Sequence, residues 1–204
     1  SLVGSWGYAP AVETNSTGDT LWWELQWTSQ EDANNAWEAW VQNEDALVWE
    51  EKYSSVLDCD GENRQSHDVA YPMASNAFGE LPDTGYFYAE IHICEFNDGA
   101  SKNDALGFLE GFNNAVNEGG YEETSYHYGN YFQQGNDDGF LWGNFTNSKE
   151  SMDKANVAFE ANVRDKMFPI FSEFATCGEV PDLYNGFTLY WSADKDFMPT
   201  FPSS

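Results

Sequence analysis

Positive charge is scarce in this chain. Eight Lys and Arg stand against 35 Asp and Glu in 204 residues, a formal charge of −27. A field of that sign repels nucleic acid and anionic lipid, so neither is an expected partner. It favours solubility and attracts cations, and it suits a saline medium in which screening weakens self-repulsion. Cysteine is sparse too: Cys59, Cys94 and Cys177 allow one disulfide and leave one thiol over, with no CxxC spacing for a metal. Cys59 and Cys177 lack a flanking His or Lys to activate them as nucleophiles. No apolar run approaches the ~20 residues that span a bilayer. Gly-rich phosphate loops, GxSxG, HExxH and EF-hand loops are all missing, so no cofactor is expected. The run Asp58-Cys-Asp-Gly-Glu has the acids but not the spacing of a calcium loop. Divalent cations at the acidic surface therefore rest on charge alone.

Aromatic residues are abundant, at 17% of the chain, and apolar residues reach 41%. That excludes a disordered acidic chain and supplies a sizeable core. The sequence starts at Ser1 without Met, which fits a processed, exported protein (periplasmic or extracellular). Asn15-Ser-Thr17 and Asn144-Phe-Thr146 match the glycosylation sequon, relevant only in a eukaryotic secretory route.

Residues 1–20, with Gly4, Gly7 and Pro10, read as a loop or extended arm. Leu21 to Trp27 alternates as a strand. Ser29 is placed to cap a helix whose stripe is Ala33, Ala36, Trp37, Trp40 and Val41, with a break near Asn43. Trp37 and Trp40 are expected in the core. His67 to Met73 is a short strand candidate, and residues 74–84 form the one plausible linker. Then come a strand from Gly85 to Phe96 and a helix capped by Ser101 and closed by Gly119-Gly120. A long strand over Tyr121 to Gln133 follows, with a hairpin turn at Gly135-Asn-Asp-Asp-Gly139. Next are a strand at Phe140 to Phe145, a helix capped by Ser148 and disturbed by Pro169, and a last strand at Gly186 to Trp191.

The first and third units match in strand, cap, stripe and cysteine, with serine-to-cysteine spacings of 30 and 29 residues. Three βαβ-like units result: an incomplete one over 21–84 behind the arm of 1–20, and a complete βαββαβ domain over 85–204. The expected fold class is α+β, ferredoxin-like, an antiparallel sheet with its helices on one face. In this element order and repeat the chain resembles the dimeric α/β-barrel superfamily, including the antibiotic-biosynthesis-monooxygenase and NIPSNAP-like groups. That resemblance implies antiparallel sheets packed into a barrel-like arrangement, the first unit forming a second, incomplete sheet. The arm within the chain, or another subunit, could also complete it. Tyr88-Ala-Glu-Ile-His-Ile-Cys94, the following Asn97-Asp-Gly99 and the Asp58-Cys-Asp60 turn resemble small secreted proteins of marine bacteria with no assigned role, so no catalytic residues carry over.

The alternation in Gly85 to Phe96 directs Phe87, Ala89, Ile91 and Ile93 toward the helices and leaves Tyr86, Tyr88, Glu90, His92 and Cys94 on the open face. On that face an aromatic-lined polar cavity is expected, with Trp22, Glu24, Tyr88, Tyr126, Tyr128 and Trp142 as ligand-binding residues. Glu90 orienting His92 or His127 would make the catalytic version. Three readings follow. The first is an exported acidic module that binds a small apolar or sugar-like ligand, or self-associates, through this face. The second is a cofactor-independent monooxygenase-like enzyme acting on a small aromatic substrate. The third is a cation-dependent surface protein. The residues leave open whether the chain is an enzyme.

Overall fold

The computed structural model describes residues 1–11, 21–59, 61–70, 84–194 and 196–199. The 74–84 linker, Asn15 of the first sequon and Asp60 lie wholly or mainly outside the described residues. The architecture is α+β: one curled antiparallel sheet of eight strands, a half-barrel, with helices. The strands are β1 (Leu2–Pro10), β2 (Trp22–Trp27), β3 (His67–Ala70), β4 (Tyr86–Phe96), β5 (His127–Gln133), β6 (Gly139–Thr146), β7 (Ala175–Cys177) and β8 (Asp182–Trp191). Their order across the sheet is β2-β1-β8-β4-β6-β5-β3, with β7 also pairing β4.

Within the segment read as a loop or extended arm, Leu2–Pro10 is a strand inside the sheet, between β2 and β8, so the arm does contribute a strand within the chain. Glycine lowers strand propensity, but Trp6 and Tyr8 gain buried packing that local propensity cannot register. The first unit does not form the second, incomplete sheet that the resemblance implied. Its strands β2 and β3 lie at opposite edges of the one sheet. No separate second sheet is formed among the described residues.

The helices largely follow their sequence signals. α1 (Gln30–Trp40) starts at Ser29, whose hydroxyl accepts from the Asp32 N–H, and Asn43 caps α2 (Glu44–Tyr53). At α3 (Lys102–Asn117) the Asp104 carboxylate accepts from the Ser101 N–H and hydroxyl. The α3 stripe is buried as its spacing predicts: Ala105, Phe108, Leu109, Phe112 and Val116. α4 (Lys149–Ala158) runs through a π-helical segment at Phe159–Val163 into α5 (Arg164–Phe174), where Pro169 sits inside the helix. Residues 121–126 are turn rather than strand. The Thr124 N–H bonds back to the Tyr121 carbonyl and Ser125 has φ 49°, so β5 starts only at His127.

α3, α4 and α5 cover one face of the sheet. Phe108 and Phe112 pack there on Trp142 and Tyr128, and Met152 packs on Tyr88. The other, concave face holds its own aromatic cluster: Trp6, Tyr8, Phe87, Tyr131, Phe145 and Tyr184. Its curl needs room. A Cβ at Gly186 would run into the Phe87 ring, and one at Gly143 would meet the Phe145 ring and Ile91, so bare backbone lets both rings lie flat on the inside of the bend.

Cys94 and Cys177 are register partners on β4 and β7 and form the disulfide, while Cys59 is free and exposed. The equivalence of Cys59 and Cys177 in the repeat therefore does not extend to bonding.

Candidate functional site

The two faces of β4 are reversed from the sequence expectation. Phe87, Ala89 and Ile91 join the concave cluster. Tyr88, Glu90, His92 and Cys94 point toward the helices, as the contacts of Tyr88 with Met152, Glu90 with Asn156 and Cys94 with Cys177 require. The concave face carries an aromatic cluster of its own, so alternation between apolar and polar sets does not tell which face meets the helices.

The predicted site residues accordingly separate. Tyr88, Tyr126, Tyr128 and Trp142 lie in the helix-covered core. The Tyr128 and Trp142 rings stack at 5.5 Å, and Asn144 Oδ1 accepts from the Tyr126 hydroxyl (2.7 Å) and the Trp142 indole (2.8 Å). This is packed interior rather than an open cavity. Glu90 shares that side with His92, and Asn156 Nδ2 donates to its carboxylate at 3.3 Å. His127, the register partner of Phe145, is on the concave side with Trp22 and Glu24. The arrangement puts Glu90 and His127 on opposite faces of the sheet. Burial lowers the pKa of His92, and that of His127 to about 3, so His127 is neutral near neutral pH and a weak proton acceptor.

The arrangement that the curl does create centres on Glu24. Glu24 lies opposite Trp6, and Trp22 opposite Tyr8, so all four share the concave face at the sheet edge. The Tyr8 hydroxyl donates to Glu24 Oε2 at 2.6 Å, and the Trp22 indole N–H donates to the Tyr184 hydroxyl at 3.2 Å. Tyr131 also donates to Glu24. Strand β5 is five places from β2 in the sheet, so this bond exists only because the sheet rolls over on itself. The residue is half-buried as a whole, but its carboxyl is enclosed. Burial pushes that carboxyl up to about 7, against the opposing pull of the two tyrosine hydroxyls. Trp22 remains 51% exposed at the rim.

Sequence reading found Trp22 and Glu24 but missed Tyr8, Tyr131 and Tyr184. The alternation of Trp6 and Tyr8 with small residues was a usable signal for β1. Nothing local signals that β5 meets β2. Among the described residues no three His, Cys, Asp or Glu side chains come together as a metal site. No helix of the described residues is long and apolar enough to cross a membrane. No protein-family model, curated protein or solved structure matches this chain.

Proposed function

We propose that this chain is an exported acidic binding module, and that the concave sheet face takes a small ligand beside Trp22 and Glu24. The observation that carries the reading is the Glu24 constellation. An enclosed acid is held by two phenols, one from the neighbouring strand β1 and one from distant β5, next to a half-exposed indole fixed in place by a third. Rigid aromatic walls with a few convergent polar groups are the ordinary composition of a small-molecule site. The helix-covered aromatic group is already filled by α3 and α5 side chains. The order β8-β4-β6-β5, with α3 and α4–α5 on one face, supports reading residues 85–204 as a ferredoxin-like βαββαβ unit extended at both edges.

The test is indole fluorescence during titration with a panel of small aromatic, sugar-like and charged compounds. A saturable change that disappears in Trp22→Ala, with the fold intact by circular dichroism, is the expected result. A panel that leaves the emission unchanged, or a change that survives Trp22→Ala, counts against binding at this face.

A further inference from the structure

We propose that the Glu24 site is a receptor for an organic ammonium ion, with Glu24 as its counter-ion and the rings of Trp22, Tyr8 and Tyr131 as its walls. This rests on the reading of the concave face as a binding face and names the ligand class.

The argument starts from charge. The eight strands of the described residues contain no Lys or Arg. Among the described residues the groups acting on the Glu24 carboxyl are the surrounding burial and the two phenols, with no positive charge among them. A carboxylate drawn into an aromatic interior with hydrogen bonds but no counter-charge is costly, and a ligand that brings the opposite charge recovers that cost. The other titratable groups around it do not supply a cation. Tyr8 on β1, Tyr131 on β5 and Tyr184 on β8 are phenols, while burial lowers the pKa of His127 on β5 and of His67, the β3 neighbour of Tyr131. Asp182, at the start of β8 on the same face, adds negative charge.

The chemistry of the walls selects the kind of cation. Hard metal ions want six or more oxygen ligands, and Glu24 with two phenols offers too few. A quaternary or heavily alkylated ammonium ion is weakly hydrated, gains from the faces of Trp and Tyr rings, and needs a single carboxylate. The −27 charge of the chain raises the local concentration of such ions and speeds their arrival. Trp22 stands half-exposed where β2 forms the sheet edge, so the entry side is aromatic as well.

Choline and its neutral carbon isostere 3,3-dimethyl-1-butanol, titrated by calorimetry at constant ionic strength, separate charge from shape. Choline is expected to bind at least about tenfold more tightly than the isostere near pH 8. If only ionised Glu24 binds it, affinity falls about tenfold from near pH 8 to near pH 6, as the carboxyl titrates around 7. Glu24→Gln keeps an acceptor for both phenols and is expected to abolish the preference and its pH dependence. Equal binding of choline and isostere by the wild-type chain overturns the ammonium assignment and leaves the concave-face reading standing. If neither binds, and the broader panel also fails to respond through Trp22, both readings fall. Should Glu24→Gln fail to fold, the isostere comparison and the pH series on the wild-type chain still decide the matter.

Discussion

Glu24 contributes a pH dependence to the fold as well as anchoring its proposed site. Its unfolded pKa is 4.5 and its folded one about 7, so the folded chain holds this proton over that interval and the unfolded chain does not. The stability contribution is therefore full below about 4.5 and is lost as pH rises through 7, by at most on the order of 3 kcal/mol. Chemical denaturation of Glu24→Gln is expected to show a gain over wild type that is larger near pH 8 than near pH 5. A pH-independent difference would mean that the carboxyl is solvated. His127 has the opposite sign. Its folded pKa of about 3 lies below the unfolded value of 6.5, so its contribution is present above 6.5 and lost as pH falls through 3. Its ring proton signals in NMR should stay constant between about pH 5 and 8; an inflection near 6.5 would place the imidazole in water.

Among the elements, α1 departs furthest from the behaviour its spacing implies. Trp37 and Trp40 were expected in the core, yet α1 buries no residue fully. Trp40 instead meets Trp23, Trp37 and Trp49 at 6.2–6.5 Å, Trp49 meets Tyr53 at 5.3 Å, and the Arg64 guanidinium lies 4.8 Å over Trp37. The periodicity correctly marks an apolar face, but its partners are α2 and β2 rather than the central sheet. Truncating Trp40 should accordingly raise hydrogen exchange in α1 and α2 with little change in β4 and β6; uniform acceleration across the sheet would contradict this. Helix caps, the hairpin at Gly135 and the α3 stripe are local signals, and they were legible for that reason. The faces of β4, the placement of β1 and the meeting of Glu24 with Tyr131 were not, because each depends on which strands become neighbours. Gly186 shows the same dependence. Only the folded curl shows that a methyl there strikes the Phe87 ring, and Gly186→Ala is expected to cost roughly 1–3 kcal/mol by overpacking. An unchanged urea midpoint would show that the ring can move aside.

For the whole molecule, two features bear on how it is held together. The Cys94–Cys177 bond closes an 83-residue separation, which for a loop of that length stabilises by roughly 4.5 kcal/mol in the chain-entropy model. The −27 charge works in the other direction, so the melting temperature should climb from low salt to molar NaCl as repulsion is screened. A flat salt profile would show that self-repulsion contributes little to stability. The curl is the feature on which the proposed function depends, since it brings β2 and β5 together across one face of the sheet. The most direct test of that account is chemical-shift mapping of the isotopically labelled chain while a responding small ligand is added. The account predicts that perturbations concentrate on the Trp22 indole, Glu24, Tyr8, Tyr131 and Tyr184. Perturbations centred on Tyr88, Tyr128 and Trp142 beneath the helices would contradict it.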